Sequence, residues 1–288
     1  MIYDLDHIED ILIPENKRNN ICLDIGLGAG APQSARWLFN DPAVFVIGVE
    51  PNKDCLKSLI EGPPPRRNWH LNLKEGGVCT ARDPGHGQLI AHKIKSIDEN
   101  DYALIMCAID NIEKKTEMEF YSTDETNIGC SSLLKPTATL EASLKEINKV
   151  DVVSLEEILN RLKLHTIKEI PMVKTDTQGK DYDVVKSLGS YLPKVRTLKC
   201  EYNVGAYYEN PNSPDEFAIF MEKNNFTPIA KTAFDVYLWN TRFNDKYNPM
   251  ECRNIIASLL EDEKEREVFI HLFNQKFKFR TGEEKADT

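Results

Sequence analysis

No apolar run in this 288-residue chain approaches the ~20 residues that cross a bilayer, which excludes an integral helical membrane protein. The seven cysteines form no C-x-x-C pair and share no zinc-like spacing with the six histidines, so a zinc module is excluded. Scattered thiols in an odd number point to a reducing compartment. Basic surplus is also missing: 46 acidic against 36 basic residues give a net charge of -10. That balance disfavours a duplex nucleic-acid binder, whose affinity comes mainly from Lys and Arg on phosphates. The first residues, Met-Ile-Tyr-Asp-Leu-Asp-His, have neither the basic region nor the apolar core of a secretory signal. No internal repeat is visible. These absences predict a soluble, intracellular, cytoplasmic protein that does not engage membranes or nucleic acid.

What is present is organised around Ile21-Cys-Leu-Asp-Ile-Gly-Leu-Gly-Ala-Gly30. Ile21, Leu23 and Ile25 read as a short buried strand, and Asp24 precedes three alternating glycines, Gly26, Gly28 and Gly30. Glycine lets backbone approach a ligand closely, and helical sequence from about Gln33 to Asn40 puts the turn at a helix N-terminus. A second strand, Val44 to Val49, ends in Glu50. A carboxylate about 20 residues past a glycine turn, at the next strand tip, is placed to accept hydrogen bonds from a ribose diol. The pattern is a nucleoside-binding βαβ unit. Gly26-Leu-Gly28-Ala-Gly30-Ala31 also fits the dinucleotide fingerprint, so an NAD(P)-dependent oxidoreductase stays open at this point.

Further along, Lys53 to Ile60 reads as a helix, and residues 62–100 as a polar insertion. That insertion carries Arg66, Arg67, His70, Arg82, His86 and Lys93 and is either a solvated flap or a substrate lid. Tyr102 to Ile109 is a buried strand, and Thr116 to Tyr121 a half-exposed one, hairpinned to it through Asp110-Asn111. Ser131 and Ser132 lie in a small-residue loop, as ligand contacts or as backbone caps. Ser154, with Glu157 three residues on, starts a helix reaching about Leu164. Ile170 to Asp176 and Val195 to Glu201 are strands ending in carboxylates, with a helix from Tyr182 to Leu188 between them. Asp24, Glu50, Asp176 and Glu201 thus collect at strand ends, where open α/β sheets bind ligands. A helix from Asp215 to Asn224 leads to two closing antiparallel strands, and residues 249–279 read as an amphipathic helix that packs onto its own domain, with a homodimer contact as the alternative.

In order and spacing these pieces resemble the FkbM-type S-adenosylmethionine (SAM) methyltransferases. The resemblance rests on Leu23-Asp-Ile-Gly-Leu-Gly-Ala-Gly30, Val49-Glu-Pro-Asn52, Cys107-Ala-Ile-Asp110, Met118-Glu-Phe-Tyr121 and Cys130-Ser-Ser-Leu-Leu134. It continues through Val153 to Leu159, Val173-Lys-Thr-Asp-Thr-Gln-Gly179 and Glu201. The family usually has Asp-x-Glu-Gly where this chain has Asp176-Thr-Gln178-Gly179, and an acid shortly after, a role Asp181 can fill.

The resemblance implies a Rossmann-like class I α/β fold with a mostly parallel seven-stranded sheet, an antiparallel C-terminal hairpin and helices on both faces. The SAM-binding domain would span 21–245, after a packing segment at 1–20 and before a helical extension at 246–288. It also implies O-methylation of a hydroxyl on a small molecule or glycan, a sugar above all; a catalytically inactive SAM-binding module is the other alternative. Asp24, Gly26, Gly28, Gly30, Glu50, Asn52, Ala108, Ile109 and Asp110 would hold the cofactor. Asp176 would be the base or acceptor-orienting group, or else would fix the cofactor's ammonium. Ser131, Ser132, Gln178 and Glu201 would contact the acceptor. No metal is assigned, though Asp176 and Glu201 offer an alternative pair of ligands for a divalent cation.

Overall fold

The computed structural model describes residues 2–28, 31, 33–34, 37–38, 41–61, 69–72, 78–82, 89–93, 100–124, 128–202, 205–231, 235–243 and 270. Gly30, the side chains of the 62–100 insertion and nearly all of the 246–288 extension with its dimer contact lie outside them. The fold is mixed α/β. Its main sheet has eight strands: β1 (Ile2–Tyr3), β2 (Ile21–Ile25), β3 (Phe45–Val49), β7 (Tyr102–Ile105), β11 (Ile170–Thr175), β12 (Val195–Glu201), β13 (Phe226–Lys231) and β14 (Asp235–Asn240). The spatial order is β1-β7-β3-β2-β11-β12-β14-β13. Neighbours are parallel except at β14, which runs antiparallel to both β12 and β13. β2 and β3 are buried along their whole length, as expected of central parallel strands covered on both faces.

Two differences from the sequence reading have plain causes. The sheet has eight strands rather than seven because Ile2–Tyr3 adds to its edge, pairing with Leu104 and Ile105. Two residues carry no period, so nothing local announces them. The segment behind them forms a 3-10 turn, Leu5–Asp10, which buries Leu5 and Ile8 but leaves Leu12 80% exposed.

The strand read as Tyr102 to Ile109 is divided. β7 stays in the main sheet, whereas β8 (Ala108–Ile109) crosses to a second sheet that it shares with β9 (Thr116–Thr123) and β10 (Leu144–Val153). There β10 lies in the middle, parallel to β8 and antiparallel to β9, so the hairpin through Asp110-Asn111 does not form. β10 was not legible because its charged positions are solvated and only its last two residues are buried. Residues in the 62–100 insertion form a third, antiparallel sheet of β4 (Trp69–Asn72), β5 (Val78–Arg82) and β6 (Leu89–Lys93).

Helices connect these strands: α1 (Lys53–Glu61), α2 (Ala138–Glu141), α3 (Leu155–Arg161), α4 (Asp181–Lys186) and α5 (Pro214–Lys223). Residues 33, 34, 37 and 38 are also helical. α3 begins where the sequence places it, with Ser154 Oγ accepting from Glu157 N at 3.2 Å. Ser154→Ala is expected to cost ~1 kcal/mol, the usual worth of an N-cap, read as a lower denaturant midpoint at unchanged slope. α5 is capped by Ser213 and opens with Pro214, a residue suited to a position whose N–H has no helical partner. Among the described residues no helix is long and apolar enough to cross a membrane.

Candidate functional site

The order of the parallel strands reverses at β2, with β3 on one side and β11 on the other, and ligands gather outside the carboxyl ends at such a point. The turn leaving β2 starts at Gly26, whose φ of +77° is in the left-handed region. A Cβ there would lie 2.0 Å from the carbonyl oxygen of Asp176, so the first glycine is demanded by the neighbouring chain. Gly28 differs. Its φ is +60°, yet among the described residues a Cβ would meet nothing within 4 Å, because the residue borders open space. Asp24 is fully buried beneath the turn, where one carboxylate oxygen accepts from Ser34 N at 3.0 Å and from Ser34 Oγ at 2.5 Å.

Glu50, at the tip of β3, accepts from Gly28 N through one oxygen and from Asn52 N through the other, both at 2.9 Å. Burial pushes its carboxyl up to about 7, against the opposing pull of the Asn52 and Gly28 N–H groups. Asn52 works on the scaffold. Its Oδ1 caps α1 by accepting from Asp54 N at 2.9 Å, and its Nδ2 donates to Ser131 Oγ at 2.8 Å. Ser131 Oγ also accepts from Thr123 N at 3.1 Å. Ser132 is buried, donates to the Gln178 carbonyl at 2.8 Å and accepts from Leu134 N at 3.0 Å. The two serines thus fasten the 128–134 loop to α1, to β9 and to the turn after β11.

That turn carries the other acids. Asp176 is half-exposed, with Oδ1 accepting from Gln178 Nε2 at 2.7 Å. The same amide donates to Glu201 Oε2 at 2.8 Å, and its oxygen accepts from Tyr208 Oη at 2.8 Å. Gln178 reaches both carboxyls from a backbone at φ +57°, and the next residue, Gly179, is also left-handed. Burial pushes Glu201 up to about 10, and the charges of Asp176, Asp181 and Asp235 add to it, which favours the neutral carboxyl. Asp181, at the start of α4, accepts from Thr177 N and Oγ1, and burial followed by the Asp176 charge raises it to about 7.

Among the described residues these elements border a cleft of about 190 Å³ that opens to solvent, below the ~300–1,000 Å³ usual for small-molecule sites. Gly26, Gly28, Glu50, Ala108, Ile109 and Asp176 line it, as do Ser131 and Ser132. Several of the residues singled out in the sequence stand behind the lining. Asp110 is buried and paired with Lys180 at 3.0 Å, while Asn111 N takes its other oxygen at 2.7 Å. Asp24, Asn52, Gln178 and Glu201 also support the wall from outside. Asp176 and Glu201 are bridged by the Gln178 amide, and among the described residues no three His, Cys, Asp or Glu side chains gather as a metal site.

Sequence reasoning passed over three lysines that border the cleft, Lys174, Lys180 and Lys199. One of them carried a usable signal, since Lys174 interrupts the apolar run Ile-Pro-Met-Val, and its neighbours Val173 and Thr175 are buried. Compared with known proteins, the chain matches no protein-family model and no curated protein.

Proposed function

We propose that the cleft binds SAM and that this protein is a SAM-dependent O-methyltransferase acting on a hydroxyl of a small molecule or glycan, foremost a sugar. The observation that carries the reading is the pairing of Gly28, left-handed with open space beside it, and Glu50, a buried acid bonded to it at the next strand tip. A turn serving only to connect strand and helix has no need of that space. The antiparallel β13–β14 pair supports the Rossmann-like methyltransferase form of the fold, because a dinucleotide fold does not require it.

The residues present fit the ligand. Gly26 and Gly28 let the backbone pass beneath it, and Glu50 has lone pairs left for a ribose diol after its two backbone bonds. Cys107, Ala108 and Ile109 give the adenine an apolar slot, with Asp110 behind it holding Lys180. When bound, SAM supplies a methyl group already activated as a sulfonium. The chain's own task is then to align an acceptor oxygen and take its proton. Glu201 stands behind the cleft with its carboxyl shifted toward the neutral form, whereas Asp176 lines the cleft half-exposed and held in orientation by Gln178. Asp176 is assigned as the base.

Calorimetric titration of SAM and NAD side by side, followed by a labelled-methyl screen over glycans, tests the reading. SAM binding with label transfer is expected; NAD binding in place of SAM overturns it, and SAM binding without transfer to any acceptor leaves an inactive module. Asp176→Asn is expected to lower methyl transfer by ~10²- to 10⁴-fold, the usual worth of a positioned base, while SAM affinity falls by no more than about tenfold. Normal turnover with collapsed SAM affinity would assign Asp176 to the cofactor instead.

A further inference from the structure

Lys174 is the buried cation on the side of the glycine turn opposite Glu50. It stands across from Asp24 in the β2–β11 register, two residues before Asp176, which follows the end of β11. Its ammonium donates to the Gly26 carbonyl at 2.5 Å and lies 3.3 Å from Asp24 Oδ1 and 3.6 Å from Asp176 Oδ2. Asp24 Oδ1 is buried and, among the described residues, accepts no hydrogen bond. One ammonium therefore faces two carboxylates, and the set retains an excess negative charge. Burying a lysine in a parallel strand is costly, and an apolar residue would serve the sheet better. The position of this ammonium at the cleft gives it a different use.

A ligand held at its ribose by Glu50 and lying over the glycine turn brings its far end to Lys174. In an adenosyl amino acid that end is a zwitterion. Its carboxylate finds the Lys174 ammonium, and its own ammonium is favoured by the net negative field of the set, with Asp176 left to the acceptor hydroxyl. A pyrophosphate brings only negative charge to that field. We infer that Lys174 recognises the carboxylate of the ligand's amino-acid end and makes the cleft selective for it over nucleosides that lack it. This rests on the SAM reading above.

The test compares three probes by calorimetry: SAM, decarboxylated SAM, and 5′-methylthioadenosine, which lacks the amino-acid end. The intact protein is expected to bind SAM about 10- to 100-fold more tightly than its decarboxylated form, the worth of a hydrogen-bonded charge pair. Lys174→Met is expected to remove that preference and leave the other two affinities within a few-fold, and Lys174→Arg to retain most of it. Undiminished SAM affinity in Lys174→Met overturns the inference, as does an equal loss for all three probes, which would mark Lys174 as scaffold alone. Should the methionine variant not fold, the intact protein decides: equal affinity for SAM and decarboxylated SAM refutes the assignment. A protein that binds none of the three refutes the SAM reading itself, a separate result.

Discussion

Gly26→Ala is expected to remove at least ~4 kcal/mol of stability, a large share of a total that usually lies at about 5–15 kcal/mol. Backbone strain and a steric clash both contribute. An alanine at φ +77° costs ~1–2 kcal/mol in the left-handed region. The clash costs more, because the new Cβ would sit 2.0 Å from the Asp176 carbonyl oxygen. That carbonyl cannot swing away cheaply: Asp176 N donates to Ile25 O at 3.0 Å, and β11 is paired to β2 just behind it. Gly28→Ala is the control. It meets the same backbone penalty at φ +60° with open space around the methyl, so ~1–2 kcal/mol is expected. Urea unfolding of both variants checks the contrast, and equal losses would mean that the packing of Gly26 against β11 is not what fixes it.

Glu201→Gln should make the protein more stable, and increasingly so as pH rises. The carboxyl is pushed from an ordinary 4.5 to about 10, first by burial and then by Asp176, Asp181 and Asp235. Across that window the folded chain keeps a proton that the unfolded chain releases. Stability is therefore fully present below about 4.5 and is lost with rising pH at up to ~1.4 kcal/mol per unit. Glutamine mimics the protonated acid, keeps an oxygen for the Gln178 amide and does not titrate. A gain of up to roughly 3 kcal/mol at pH 7 follows. Glu50, raised to about 7, gives both proteins a similar slope in the acid range, so the divergence above pH 7 reports Glu201. Denaturant midpoints at pH 5, 7 and 9 should diverge; parallel curves for the two proteins would show that Glu201 is ionised in the folded state.

Gln178 explains itself in the same setting. Its amide donates to Asp176 and to Glu201 at once, so the residue that departs from the FkbM pattern is the one that joins the two acids. With a glutamate there, three carboxyls would meet without that amide between them.

Features that depend on a few neighbouring residues were legible along the chain. The glycine turn after β2, the acid ending β3, the Ser154 cap and the apolar runs of β2, β3, β11 and β12 all follow from local chemistry and a short period. Tertiary structure alone decided who meets whom. Lys174 and the Gly26 carbonyl are 148 positions apart in the chain, and Tyr208 reaches back 30 to Gln178. Asp110 turned to Lys180, β8 left the strand it continued, and Ile2–Tyr3 became a sheet edge. The upward shift of the Glu201 carboxyl belongs to the same class. Period and propensity are written in adjacent residues, whereas burial and the field of surrounding charges are set by segments that only folding brings together.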